Sequence, residues 1–446
     1  MSKGTHKTST GHDTLLDLPL TRRQVLVGGT LGALSLMAGS SSVFAATEAD
    51  REIRVGFISP RSGNLGLFGQ GDPYILQIAR KALAKGLAIG GKTYRVTILD
   101  RDTQSSPSRA SQLAHELINQ SHVHLMLATS TPEVTNPVAD ACEAASVPNL
   151  ATVVPWQSFY FARGAKPGQP SPFKWTFCFS FGTESFVKAY LSEWAELKTN
   201  KKVGVMYPND ADGMAVRDHL APELEKAGYK IIDPGPYQDG TTDYSSQIAL
   251  FNRENCQIFN TFPIPPDFDA FWRQAAQLHY TDKVIIAQIA KTGLFPSQVT
   301  PLGPLGYNLA CGVYWSPVFP YDSPATGITP RELADGYEKS TGRQWNQQLG
   351  ASMSLIDVGI AALKASSDPT SRDAIRKAIT TLDATSMVGN VNFKTGPTPN
   401  VSVTPQIGAQ WVKARPGSKY ELDLVTVEHA TDPQVPIQRK LVPYHA

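Results

Sequence analysis

His115-Glu116 has the opening of a zinc-protease helix motif, but Asn119 stands four residues after His115. A second histidine is needed there to share the metal from one helix face, so H-E-x-x-H is absent. There is no G-x-S-x-G elbow and no P-loop. Gly66-Leu67-Phe68-Gly69-Gln70-Gly71 occupies the strand-to-helix position of a dinucleotide fingerprint, with G-x-x-G-x-G spacing in place of G-x-G-x-x-G. Leu67 and Phe68 also crowd the loop that the phosphates would approach. The nine histidines are scattered, and His122 and His124 have no cysteine or carboxylate beside them. What remains is polar chemistry at strand ends. Thr129-Ser130-Thr131-Pro132-Glu133 puts hydroxyls and free backbone N–H groups at the start of a helix, a setting that suits a carboxylate. One hydroxyl would serve as an ordinary helix cap; two exceed that need. Pro155-Trp156 follows the next strand, where an aromatic ring either stacks on a ligand or packs locally.

The elements that carry these residues alternate. Strands are expected at 54–58, 94–99, 123–128 and 147–154. Helices lie between them at 73–87, from Pro107 onward, and at 133–145. Pro73 and Pro107 sit at helix starts, where a missing N–H does no harm. The helix after Pro107 carries Ala110, Leu113, Ala114, Leu117 and Ile118 on one stripe. Residues 123–128 are apolar nearly throughout, as a strand buried on both faces should be. The same order recurs, with strands at 202–207, 229–232, 256–262 and 284–288. A local phrase recurs with it: Asp102-Thr103-Gln104 leads to Ser111-Gln112-Leu113, and Asp239-Gly240-Thr241-Thr242-Asp243 leads to Ser246-Gln247-Ile248. The reading is α/β, with two similar lobes, each a parallel sheet flanked by helices. Between the units, 155–180 holds eight aromatic residues and must pack on a lobe surface or on a ligand. After Ala290 come a strand at 308–315, helices at 329–340, 350–365 and 371–380, and short strands at 389–393, 406–412 and 422–429.

Thr21-Arg22-Arg23-Gln24-Val25-Leu26, an uncharged run to Ala38 and Val43-Phe44-Ala45 form the layout of a twin-arginine export signal. The apolar run falls short of the ~20 residues that span a bilayer. Cleavage after Ala45 and a periplasmic location are therefore expected. The removed part holds Lys3, Lys7, Arg22 and Arg23 against Asp13 and Asp17, so 37 basic and 37 acidic residues remain. That balance gives nucleic acid or an anionic membrane nothing to hold. Cys142, Cys178, Cys256 and Cys311 form no C-x-x-C pair. Export permits disulfides, and three full pairings stay open.

The chain resembles periplasmic binding proteins of the branched-chain amino acid type, the receptors of ABC importers. The stretches that match are Val55-Gly56-Phe57-Ile58-Ser59-Pro60; Asn136-Pro137-Val138-Ala139-Asp140 before Ser146-Val147-Pro148; Lys202-Val203-Gly204-Val205-Met206-Tyr207 with Asp212-Gly213; Gly240-Thr241-Thr242-Asp243-Tyr244-Ser245; and Gly389-Asn390-Val391-Asn392-Phe393. The resemblance implies the type I fold, two lobes joined by three hinge crossovers near 180, 317 and 395. Lobe one would be 46–180 with 318–395, and lobe two 181–317 with 396–446. It implies a monomer that closes on a small-molecule ligand and is read by importer permease subunits. No catalytic residue, metal or cofactor is expected. Carried over position by position, the ligand contacts would be Phe68, Thr129, Ser130, Thr131, Trp156, Asp212, Phe262 and Gln288. One departure stands out. Members that bind amino acids usually offer an acid after the strand ending near Gln288, to pair with the ammonium. This chain reads Gln288-Ile289-Ala290-Lys291-Thr292. Either Asp212 substitutes, or the ligand is an aromatic or apolar carboxylate without an amine. A two-lobed sensor for a signalling receptor and an exported enzyme are the rival readings.

Overall fold

The computed structural model describes residues 51–446, Pro263 excepted. The expected export signal and the expected cleavage after Ala45 lie outside the described residues. Sixteen strands are present among them. The first sheet takes β1 (Glu52–Ser59), β2 (Leu87–Ile89), β3 (Lys92–Asp102), β4 (Leu125–Thr129), β5 (Asn149–Thr152) and β6 (Thr176–Ser180). The second takes β7 (Lys202–Met206), β8 (Lys230–Ile232), β9 (Ile258–Thr261), β10 (Ile286–Ile289) and β11 (Ala310–Val313). A hairpin of β12 (Asp383–Ser386) and β13 (Gly389–Asn392) follows. Then β14 (Val401–Val403) returns to the first sheet, and β15 (Ile407–Lys413) and β16 (Leu422–Glu428) complete the second.

Five strands of each sheet run parallel in one spatial order, β3-β1-β4-β5-β6 and β8-β7-β9-β10-β11. The recurrence of elements in the sequence is therefore a recurrence of architecture. Within the two large sheets, antiparallel pairing is confined to β2 on β3 and to β15 and β16 at the far edge of the second. Every residue of β4, β5, β6, β9, β10 and β11 is buried, the state of strands covered on both faces. The helix Gln348–Ala365 lies against β4, β5 and the helix Asp72–Ala82. It is apolar almost all round, as a helix buried on every side must be.

The chain passes between the sheets three times: after β6, after β11 and after β14. The first two lie between β6 and β7 and between β11 and the helix Pro330–Thr341. The third does not fall at 395, because Val401–Val403 pair in parallel with Cys178–Ser180 and keep the chain on the first sheet until Val403. The edge of β6 offers unpaired backbone groups, and the returning segment satisfies them. Residues 155–180 hold more than packing surface, since they end in β6. Trp156, Phe159 and Tyr160 cluster with Ala139, Ala151, Cys178 and Val401 on the flank of the first sheet. Arg163 lies over Phe159 and Phe173, 4.6 and 4.0 Å from the ring centres. All four cysteines are free and buried.

Two buried carboxyls tie elements together. Asp72 accepts the Ser352 hydroxyl at 2.6 Å. Asp357 accepts Ser323 Oγ at 2.5 Å and the backbone N–H groups of Ala325 and Met387 at 3.1 and 3.2 Å. Burial pushes both carboxyls up to about 6, against hydrogen bonds that pull the other way. The folded protein thus holds these protons more tightly than the unfolded chain does. Their contribution is complete below about pH 4 and is lost as pH rises through about 6. Stability in urea should fall from pH 5 to pH 7 by about 1 kcal/mol for each of the two. A flat or rising profile over that window would show that neither carboxyl is buried.

Candidate functional site

Hydroxyl groups come first, because the fold leaves them without partners. β4 ends at Thr129, and the chain turns sharply into the helix Pro132–Ala144. Ser130 makes the turn with φ of +117°, a conformation that side chains rarely adopt. Val153 does the same after β5, with φ of +76°, which for a β-branched residue is a genuine outlier. Such strain collects where a fold holds a group in place for a purpose. Thr131 occupies the helix cap, yet its hydroxyl makes no capping bond. Ser130 Oγ and Thr131 Oγ1 are buried and have no hydrogen-bond partner. Ser130→Gly should relieve the turn and raise stability by about 1 kcal/mol, while weakening solute binding. Denaturant titration beside a binding titration checks both halves of that prediction.

The second sheet supplies the opposite wall. Asp210 caps the helix that follows β7, accepting the N–H of Gly213 at 2.6 Å. A side chain on Gly213 would overlap the Pro208 carbonyl, so only glycine closes this turn. Asp212 points inward and is 2% exposed. Lys291, just past the end of β10, reaches across to it. Its Nζ lies 2.9 Å from Asp212 Oδ2 and 3.3 Å from Asp210 Oδ2. Burial opposes the lysine charge, but Asp210, Asp212 and Glu133 outweigh it and hold the ammonium well above its ordinary range. Burial likewise pushes the Asp212 carboxyl up, to about 6, despite Lys291. Glu133 belongs to the helix behind Ser130 and Thr131, so the two walls feel each other's charge.

Between the walls is a cavity with about 470 Å³ of empty space, open solvent at its mouth included. Phe68, Ser130, Thr131, Val153 and Pro155 line it on the first side. Phe186, Asp212, Phe262, Lys291 and Leu294 line it on the second, and Phe181, Gly312, Tyr314 and Gln406 lie near the crossings. Five of the lining residues are aromatic: Phe68, Phe181, Phe186, Phe262 and Tyr314. Phe181 stacks on Tyr314 at 5.4 Å, and Phe186 meets Phe181 and Phe262 edge-on at 5.2 Å each. Phe68 touches Phe295 at 5.0 Å, bridging the mouth.

A family model described as periplasmic binding protein matches residues 52–407. The chain belongs to the periplasmic binding protein family. This binding protein is 23% identical over 334 residues to Leu/Ile/Val-binding protein homolog 8 of Brucella abortus, covering 72% of the chain and 76% of that protein. Its fold matches a leucine binding protein from Thermotoga maritima with a TM-score of 0.67 at 16% identity, over 85% of this chain and 99% of that one. It also matches a solute binding protein of an ABC transporter from Rhodopseudomonas palustris, in complex with 3,4-dihydroxy benzoic acid. There the TM-score is 0.66 at 17% identity, over 86% and 99% of the two chains. The architecture is the type I periplasmic binding protein fold.

Of the eight residues marked in the sequence, the binding protein brings five to one cavity: Phe68, Ser130, Thr131, Asp212 and Phe262. Three lie outside its wall. Thr129 is the buried last residue of β4. Trp156 donates its indole N–H to Glu184 at 2.8 Å and packs beside Tyr160 and Phe161. Gln288 is buried in the second sheet and accepts the Trp194 indole N–H at 3.1 Å. Sequence reasoning missed Lys291, Phe181, Phe186 and Tyr314. The signal for Lys291 was in the stretch that lacked an acid: a lysine follows the carboxyl end of a parallel strand, where open α/β sheets place their ligands. No group of metal-ligating side chains occurs among the described residues, and no described helix is long and apolar enough to cross a membrane.

Proposed function

We propose that this protein captures a small carboxylate-bearing solute between its two halves in the periplasm. The closed form is then presented, by a monomer, to the permease subunits of an ABC importer. Export by the twin-arginine segment delivers it there. Its action is binding and closure, with no bond made or broken. A solute that favours the closed state shifts the open–closed equilibrium by its differential affinity. The lobes that move are the two sheets with their helices, 51–180 with 318–403 and 181–317 with 404–446.

One observation carries this reading: two buried hydroxyls without partners, at a strained turn before a helix, face an aromatic cavity. A carboxylate there would accept from Ser130, Thr131 and the helix N–H groups. Lys291 favours a solute without an amine. It stands where an amino-acid receptor offers an acid, and it already occupies the Asp212 carboxylate. The rings of Phe181, Phe186, Phe262 and Tyr314 suit an aromatic or apolar body, and the neighbour from Rhodopseudomonas palustris holds a benzoic acid. Isothermal titration with leucine, phenylalanine and benzoate tests the proposal. Benzoate should bind, and the two amino acids should not. Tight leucine binding with no acid binding would overturn it.

A further inference from the structure

We propose that Lys291 and Asp212 together read a hydroxyl group at the end of the solute away from its carboxylate, so that the preferred solute is an aromatic hydroxy acid. This rests on the capture of a carboxylate by Ser130 and Thr131. It adds what the opposite wall selects.

The argument is a count of hydrogen-bonding capacity. A lysine ammonium has three N–H donors. Asp212 Oδ2 at 2.9 Å and Asp210 Oδ2 at 3.3 Å use two of them, and no third acceptor meets Nζ among the described residues. Asp212 has a second oxygen, Oδ1, which is buried and has no partner. Each of these vacant capacities would be costly to bury for nothing. Both residues line the cavity, which puts one spare donor and one spare acceptor side by side in its wall.

A hydroxyl has both capacities in one atom: it donates to Asp212 Oδ1 and accepts from Lys291 Nζ. An ammonium only donates, and it would bring a second positive charge against the buried one on Lys291. A second carboxylate only accepts, and it would face Asp212, Asp210 and Glu133. A methyl group in the same place would leave both protein groups unpaired. The aromatic residues of the lining, Phe181, Phe186, Phe262 and Tyr314, suit a flat body that keeps the hydroxyl apart from the carboxylate.

Calorimetric titration of the whole exported chain with 4-hydroxybenzoate and 4-methylbenzoate tests this, since the two differ only in the group that reaches Lys291 and Asp212. The hydroxy acid should bind at least about 30-fold more tightly. In Asp212→Asn, checked for folding by circular dichroism and melting, that ratio should fall about tenfold. Equal affinities of the two acids in the unaltered protein overturn the hydroxyl reading and leave the carboxylate site standing. An unchanged ratio in Asp212→Asn overturns it as well. Binding of phenylalanine in preference to both acids overturns it together with the exclusion of amines. Failure of both acids and of the amino acids overturns the capture of a carboxylate, and this inference with it.

Discussion

Lys291→Met should destabilise the protein by about 3–5 kcal/mol at pH 7 and weaken binding of the hydroxy acid by about 30-fold or more. Methionine matches the lysine stem in length, so the packing change is small. What is lost is the only cation that touches Asp210 and Asp212 among the described residues. The buried Asp212 carboxylate and the partly buried Asp210 then lack a counter-ion, with Glu133 across the cavity. The deficit should shrink as pH falls from 7 to 5. The buried Asp212 carboxyl, raised even beside the ammonium, titrates at a higher pH in the folded variant than in the unfolded chain. Such a group contributes stability that is present at low pH and is lost as pH rises through its folded value. Urea denaturation of both proteins at pH 5 and 7 measures this. A deficit under about 1 kcal/mol at both values would mean that the lysine is solvated and no part of a buried pair.

The second large effect separates binding from folding. Ser130→Ala combined with Thr131→Ala should weaken the solute affinity by about 100-fold or more, since each hydroxyl donates to a charged acceptor. The empty protein should lose nothing in stability, because Ser130 Oγ and Thr131 Oγ1 are buried without partners in the unliganded fold. A purely structural hydroxyl behaves in the opposite way, with stability lost and affinity kept. Titration calorimetry and thermal melting on the same sample distinguish the two patterns.

Much of this arrangement is visible in the amino-acid order. Strands buried on both faces announce themselves as apolar runs, and β1, β4, β7 and β9 lie where those runs are. Helices are equally plain where a proline opens them and apolar residues keep the helical period, as at Pro107–Asn119. The strands that escaped notice are short or disguised. β14 has three residues, and its reason to exist is the edge of β6, more than 200 residues earlier. β6 itself hides in a stretch so aromatic that alternation cannot be read from it. The site divides in the same way. Ser130 and Thr131 are legible because local sequence fixes both the strand end and the helix start. Lys291 is not, because its partners Asp210 and Asp212 lie some eighty residues upstream and meet it only when β7 and β10 flank β9. Trp156 is an aromatic residue after a strand, which is all that sequence shows. Its direction was set by Glu184, on a helix that begins beyond β6.

The weaving of the chain through both sheets has a practical consequence. Neither half corresponds to one uninterrupted piece of polypeptide: the first sheet lacks an edge until β14 arrives, and the second lacks β15 and β16 until after that. A fragment ending at Ser180, or one spanning only Lys202–Val313, would carry exposed strand edges and invite aggregation. Anyone dissecting this receptor into independent pieces would have to splice distant segments with a designed linker, or express the parts together and let them reassemble.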